Sequence, residues 1–347
     1  MLPNKDKVLI RLFPLGVVGF SKRPNKLVIY TSKELNKKER KTVLSIIVTE
    51  TDYSEKEIEI RNIGTPRALG FFPEPVEPAR VEGKTDFNRP LVAGISIGHR
   101  DITAGTLGGF VRVEDELYLF SNAHVLTPNP FLYPYQIKEK RILQPGPYDL
   151  QYDESKYDKA LVGYYEWHVK LDDIWEEPPR CPISKTLYYL YRLLRRKSKL
   201  VTFANKNYID FAIAKIKKDV KVRNKTYHGL PKENMKFVGL IFAGSEYVGV
   251  SCKVVKYLGT EKDGWGWLWE TVEDVNLFDD LAKDGRTTCL TISTKEKPFR
   301  VIDPSCCLTV YYGDGHVAWF EDVFLTDNVN GQQVRGGDSG SPVFVIE

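Results

Sequence analysis

From Leu91 onward the chain changes texture, and this constrains its fold more than any other feature. Short runs of β-branched and aromatic residues recur at 106–113, 116–120, 211–216, 236–242, 307–312, 316–320 and 342–346, each soon broken by Gly, Asn or Asp. Strands at this spacing belong to sandwiches or barrels, so the segment 91–347 reads as one mainly β domain. The first ninety residues read differently. Residues 27–31 form a β-rich run, 32–44 offer a capping serine before strong helix formers, and Ile58 and Ile60 alternate with Glu57, Glu59 and Arg61 as in a half-buried strand. A small α+β appendage over 1–90 follows, closed by a connector holding Pro73, Pro75, Pro78 and Pro90, since proline has no donor for a β ladder.

One stretch of the β domain breaks the pattern. Within 182–200, Leu187, Leu190, Tyr191 and Leu194 recur at helical spacing and a cluster of Arg and Lys follows, which complements a helix dipole; a helical insertion is expected there. A formal charge of +4 is too near balance to imply a nucleic-acid partner. No apolar stretch approaches the roughly 20 residues of a membrane span. The N-terminus intersperses Lys5, Asp6, Lys7 and Arg11 among single apolar residues, unlike a secretion signal, and five cysteines without metal-ligand spacing point to reduced thiols. A cytoplasmic, intracellular protein is the expectation.

Chemistry concentrates near the C-terminus. In Gly336-Gly337-Asp338-Ser339-Gly340-Ser341-Pro342 the glycines allow a bend that exposes a serine hydroxyl while the amides of Gly337 and Ser339 converge on one point. Two convergent amides can hold a developing oxyanion. A serine nucleophile also needs a base, because its hydroxyl is not ionised at neutral pH. His124, in Ser121-Asn122-Ala123-His124-Val125-Leu126, follows an alternating run and has small Ala123 beside it. A carboxylate must orient the ring, and Asp210 between Ile209 and Phe211 fits, since an anion entering an apolar strand needs a compensating partner. Asp158 competes for that role, although Lys159 beside it suits a solvated pair. The remaining histidines, His99, His168, His228 and His316, read as surface or turn residues. No His-Glu-x-x-His or paired Cys-x-x-Cys occurs, so no metal is expected.

These motifs, taken in order, resemble the chymotrypsin-like (trypsin-fold) serine peptidases, in the bacterial and archaeal branch related to the plant narrow-leaf protease. The resemblance runs from about Ala93 to Phe344. It takes in Gly94-Ile95-Ser96-Ile97-Gly98-His99, Thr103-Ala104-Gly105-Thr106-Leu107-Gly108, the His124 motif, Leu143-Gln144-Pro145-Gly146-Pro147, Cys181-Pro182-Ile183, Asp210-Phe211-Ala212-Ile213-Ala214, Gly285-Arg286-Thr287-Thr288 and Gly337-Asp338-Ser339-Gly340. It implies a chymotrypsin-like double β-barrel with His124 as general base, Asp210 as its orienting partner, Ser339 as nucleophile and the Gly337 and Ser339 amides as oxyanion hole. The implied function is a serine endopeptidase acting on protein or peptide substrates without a cofactor. A catalytically silent protease-like binding or scaffolding protein is the alternative.

Two departures from the family pattern bear on the site. Only eight residues follow Ser339, so the strand that lines the family's specificity pocket is missing where expected. Val238-Gly239-Leu240-Ile241-Phe242-Ala243-Gly244-Ser245 resembles that strand, and the segment 237–258 is expected to be relocated and to fill its slot beside Ser339; Gln333 is a candidate for the pocket floor. No family-type activated N-terminus is visible either, so Asp338 needs another partner, either Arg335 or a backbone amide.

Overall fold

The computed structural model describes residues 5–68, 83–174, 186, 206–259, 263–272, 289–292, 295–327 and 334–346. The described chain is mainly β and divides into two compact units. The first comprises Met1–Pro66, Asp172–Asn207 and Cys306–Glu321, and the second Arg67–Leu171, Tyr208–Ser305 and Asp322–Glu347. The expected boundary near residue 90 differs from this division for a physical reason. The apolar face of the N-terminal segment is completed by residues distant in sequence, Ile174, Val317 and Trp319.

In the first unit, strand Val17–Arg23 runs antiparallel to Lys26–Thr31, which runs parallel to Ile58–Asn62. The helix Lys37–Glu50 makes the crossover and buries Val43, Ile46 and Ile47, which share one face at helical spacing. Its cap is Asn36 rather than Ser32. The Asn36 side chain accepts from the Glu39 amide while the Glu39 carboxylate accepts from the Asn36 amide, and the Ser32 hydroxyl instead donates to the Gly16 carbonyl.

Residues of the second unit contribute to two sets of strands, and the pairing of the second set returns to its starting point. In the first set, Ser96–His99 pairs in turn with Gly105–Thr106, and the chain continues into Gly109–Val113. That strand pairs with Glu116–Ser121, then Ala212–Ile216, Leu161–His168 and Arg141–Leu143, which pairs again with Ser96–His99. Leu107, Phe110, Leu119, Val125, Ile142, Val162 and Tyr165 fill the interior. In the second set, Cys289–Ile292 pairs with Lys295–Tyr311, which pairs with Val317–Asp327. The order continues through Val248–Cys252 and Met235–Gly244 to Pro342–Ile346, which pairs back onto Cys289–Ile292. Phe120 of the first set meets Phe237 of the second at 5.5 Å between ring centres.

This order places Met235–Gly244 directly beside the last strand, Pro342–Ile346, although about a hundred residues separate them in sequence. The helical insertion expected over 182–200 lies outside the described residues apart from Thr186. Cys181 and the 285–288 segment also lie outside them. Among the described residues, no helix is long and apolar enough to cross a membrane.

Candidate active site

The structure brings His124, Asp210 and Ser339 together in the second unit. The strand Glu116–Ser121 ends at Asn122, and one turn of helix, Ala123–Leu126, carries His124. Asp210 sits just before strand Ala212–Ile216, which pairs with Glu116–Ser121 through Ala212 and Ser121. That register sets Asp210 against the helical turn. Its Oδ1 accepts from the amides of Ala123 (2.6 Å) and His124 (3.4 Å), and its Oδ2 meets His124 Nδ1 at 2.6 Å. Its own carbonyl accepts from Asn122 Nδ2 at 2.7 Å. A carboxylate with no exposed surface thus has three donors in place of water, as a buried anion requires.

With Nδ1–H donating to Asp210, the imidazole presents Nε2 as an acceptor. Ser339 Oγ lies 2.6 Å from that nitrogen, and the Phe242 carbonyl is its second neighbour at 3.3 Å. The shorter contact assigns the hydroxyl proton to His124. Neither the Ser339 side chain nor that of His124 is exposed.

The Ser339 loop is tied to both sets of strands. Thr106 donates through its amide to the Ser339 carbonyl (2.7 Å) and through Oγ1 to the Gly337 carbonyl (2.6 Å). On the other side, the Gly340 amide donates to the Ile241 carbonyl, and the Ile241 amide to the Ser341 carbonyl. Gly340 has φ +87°, and a Cβ there would lie 2.0 Å from Ser121 Oγ. The amides of Gly337 and Ser339 donate to none of the described residues. Asp338 is held by a backbone amide: its Oδ2 accepts from Arg335 N at 2.9 Å, while its own amide donates to the Arg335 carbonyl.

Of the expected pocket residues, Ala243 and Gly244 lie on the strand that borders Ser339, and each is paired on both edges. Ser245 makes the turn that follows, its amide donating to the Val248 carbonyl. Gln333 lies outside the described residues. Asp158 is exposed on a short helix, Tyr157–Ala160. His99 and His168 are buried rather than at the surface, 0% and 1% exposed, and both ring nitrogens of each find partners within the second unit. Cys252 is also buried, and burial pushes its thiol up to about 12, so it is held as an inert thiol. Sequence reasoning did not assign a role to Thr106, Asn122 or the Phe242 carbonyl. The polar pair Ser121-Asn122 at a strand end was the signal available, since the Phe242 carbonyl and the Thr106 amide are backbone groups. No protein-family model and no curated protein matches the chain.

Proposed function

We propose that this chain is a serine endopeptidase of chymotrypsin-like, double β-barrel architecture, hydrolysing peptide bonds through an acyl-enzyme. The observation that carries the reading is the hydrogen-bonded series Asp210–His124–Ser339, both of its contacts 2.6 Å long. The closed pairing order of the second strand set and the resemblance of the motifs add support. In this reading Pro342–Ile346 and Met235–Gly244 are neighbouring strands of the second barrel, the latter taken from an earlier part of the chain.

The chemistry follows from the geometry. Ser339 Oγ attacks the substrate carbonyl carbon as its proton passes to His124 Nε2. The imidazolium so formed is paired with Asp210, and the negative oxygen is received by the amides of Gly337 and Ser339. His124 then returns the proton to the leaving amine, which frees the new N-terminus and leaves the acyl group on Ser339. Water, activated by the same imidazole, completes hydrolysis. Complete burial of Ser339 favours a second reading, a catalytically silent protease-like binding or scaffolding protein.

A fluorophosphonate probe separates the two. Labelling of the folded chain that is lost in Ser339→Ala is the expected result, whereas no labelling of the wild type or of any cooperatively folded variant sinks the hydrolase reading. Asp210→Asn should lower turnover by about ten-thousandfold, because an amide cannot hold the ring in the required tautomer. Wild-type turnover in that variant would remove Asp210 from the mechanism.

A further inference from the structure

We propose that residues Arg67 and Ala68 occupy the strand edge on which an extended substrate peptide pairs, so that the chain withholds its own nucleophile until that segment leaves; this rests on the hydrolase reading above. The strand Met235–Gly244 has two edges. One pairs along Leu240–Gly244 with Val248–Cys252, and the other pairs from Met235 to Leu240 with Pro342–Ile346. Beyond Leu240 the second edge loses its partner, because the chain bends away through Ser341, Gly340 and Ser339. Arg67–Ala68 takes that place, antiparallel, with Ala68 opposite Ala243 and Arg67 opposite Gly244.

The register gives this pairing its meaning. Any peptide held in the same direction puts its next residue opposite Phe242, whose carbonyl lies 3.3 Å from Ser339 Oγ. The bond delivered to the nucleophile is then the one after that next residue. Main-chain pairing of this kind captures an extended segment whatever its sequence, while side-chain pockets add selectivity. Ala68 has no exposed surface, so the position opposite Ala243 takes a small side chain. Arg67 is exposed, so the position opposite Gly244 is tolerant. The substrate class is therefore an extended polypeptide with a small residue next but one before the cleaved bond. The full burial of Ser339 and of the His124 side chain is the state expected of a groove already occupied.

The test is the rate of fluorophosphonate labelling of Ser339 in the full-length chain. Ala68→Glu places a charge in a site without solvent and expels the segment; labelling should rise at least about tenfold over wild type, the open fraction having increased by that factor. A gentler double variant, Ala68→Cys with Ala243→Cys, puts two thiols on directly opposed residues of an antiparallel pair. Its oxidised form should label at least about tenfold more slowly than its reduced form, while reductant leaves the wild-type rate unchanged. Should Ala68→Glu fail to unfold cooperatively, the oxidised and reduced forms decide alone. Equal rates in those two forms overturn the proposal and leave the hydrolase reading standing. No labelling of any cooperatively folded variant, wild type included, overturns both.

Discussion

Two glycines of the Ser339 loop are required for different reasons, and substitution separates them. At Gly340 the backbone is left-handed (φ +87°) and an added Cβ meets Ser121 Oγ at 2.0 Å and the Thr106 carbonyl at 2.2 Å. Neither neighbour can yield, since Ser121 Oγ itself donates to that Thr106 carbonyl at 2.7 Å. Gly340→Ala should cost more than about 3 kcal/mol in urea unfolding and abolish probe labelling. Gly337 shares the left-handed backbone (φ +92°) but has nothing within 4 Å of the same position. Gly337→Ala then carries only the conformational penalty of about 1–2 kcal/mol. Its amide, however, turns away from the oxyanion, and turnover should fall by about 100 to 1,000-fold in a protein that still folds. A Gly337→Ala variant as active as wild type would remove that amide from the oxyanion hole.

Among the elements, the long strand Val317–Asp327 is interrupted by a charge cluster at Asp322, where φ is +56°. Burial alone would raise the Asp322 carboxyl, but Lys253 at 2.7 Å, Lys256, and hydroxyls of Ser305 and Tyr257 hold it well below the usual carboxylate range. The Lys253 side chain is only 4% exposed. Asp322→Asn keeps the shape and tolerates the left-handed backbone, yet removes the charge that Asp322 sets against a buried ammonium, at a cost of about 3 kcal/mol in denaturant unfolding. The carboxyl is lowered in the folded state, so its contribution is present above its unfolded value of about 4 and is lost as pH falls toward the lower folded value. The variant should match wild type most closely in strong acid. Elements such as this hairpin were only partly legible in the sequence. Pro298 and Pro304 interrupt the alternation that marks a strand, so the run at 307–312 was visible but not its extension back to Lys295. The strand Val17–Arg23 was missed because part of its reason to be extended is Cys307 and Leu308, far along the chain. By contrast Ile58 and Ile60 carry their alternation locally, and that strand was read. At the site, His124, Asp210 and Ser339 stood out through the small or apolar residues around them. The edge pairing of Ala243 with Ala68 had no such signature, because backbone groups are the same in every residue.

At the scale of the second unit, two buried histidines couple the site's surroundings to pH. The chain from Thr127 to Lys140 leaves the His124 turn and must return to the strand Arg141–Leu143. It is pinned twice on the way, by His168 Nε2–H donating to the Leu132 carbonyl at 3.0 Å and by His99 Nε2–H donating to the Glu139 carbonyl at 2.9 Å. In each ring the other nitrogen must accept, from the Tyr165 hydroxyl at His168 and from the Asp101 amide at His99. Both rings are thus satisfied only when neutral, and burial, the largest cause in each case, lowers both below the ordinary imidazole value. The sign follows from proton counting. Below about pH 6.5 the unfolded chain binds a proton at each histidine that the folded chain refuses, so stability falls as pH falls, by up to about 1.4 kcal/mol per pH unit for each ring until its folded value is reached. Urea midpoints between pH 7.5 and 5.5 should therefore decline, and His168→Gln, which stays neutral, should flatten the decline relative to wild type while being less stable at pH 7.5. An identical pH slope in that variant would mean that His168 takes up its proton in the folded state, and the neutral pin on Leu132 would have to be abandoned.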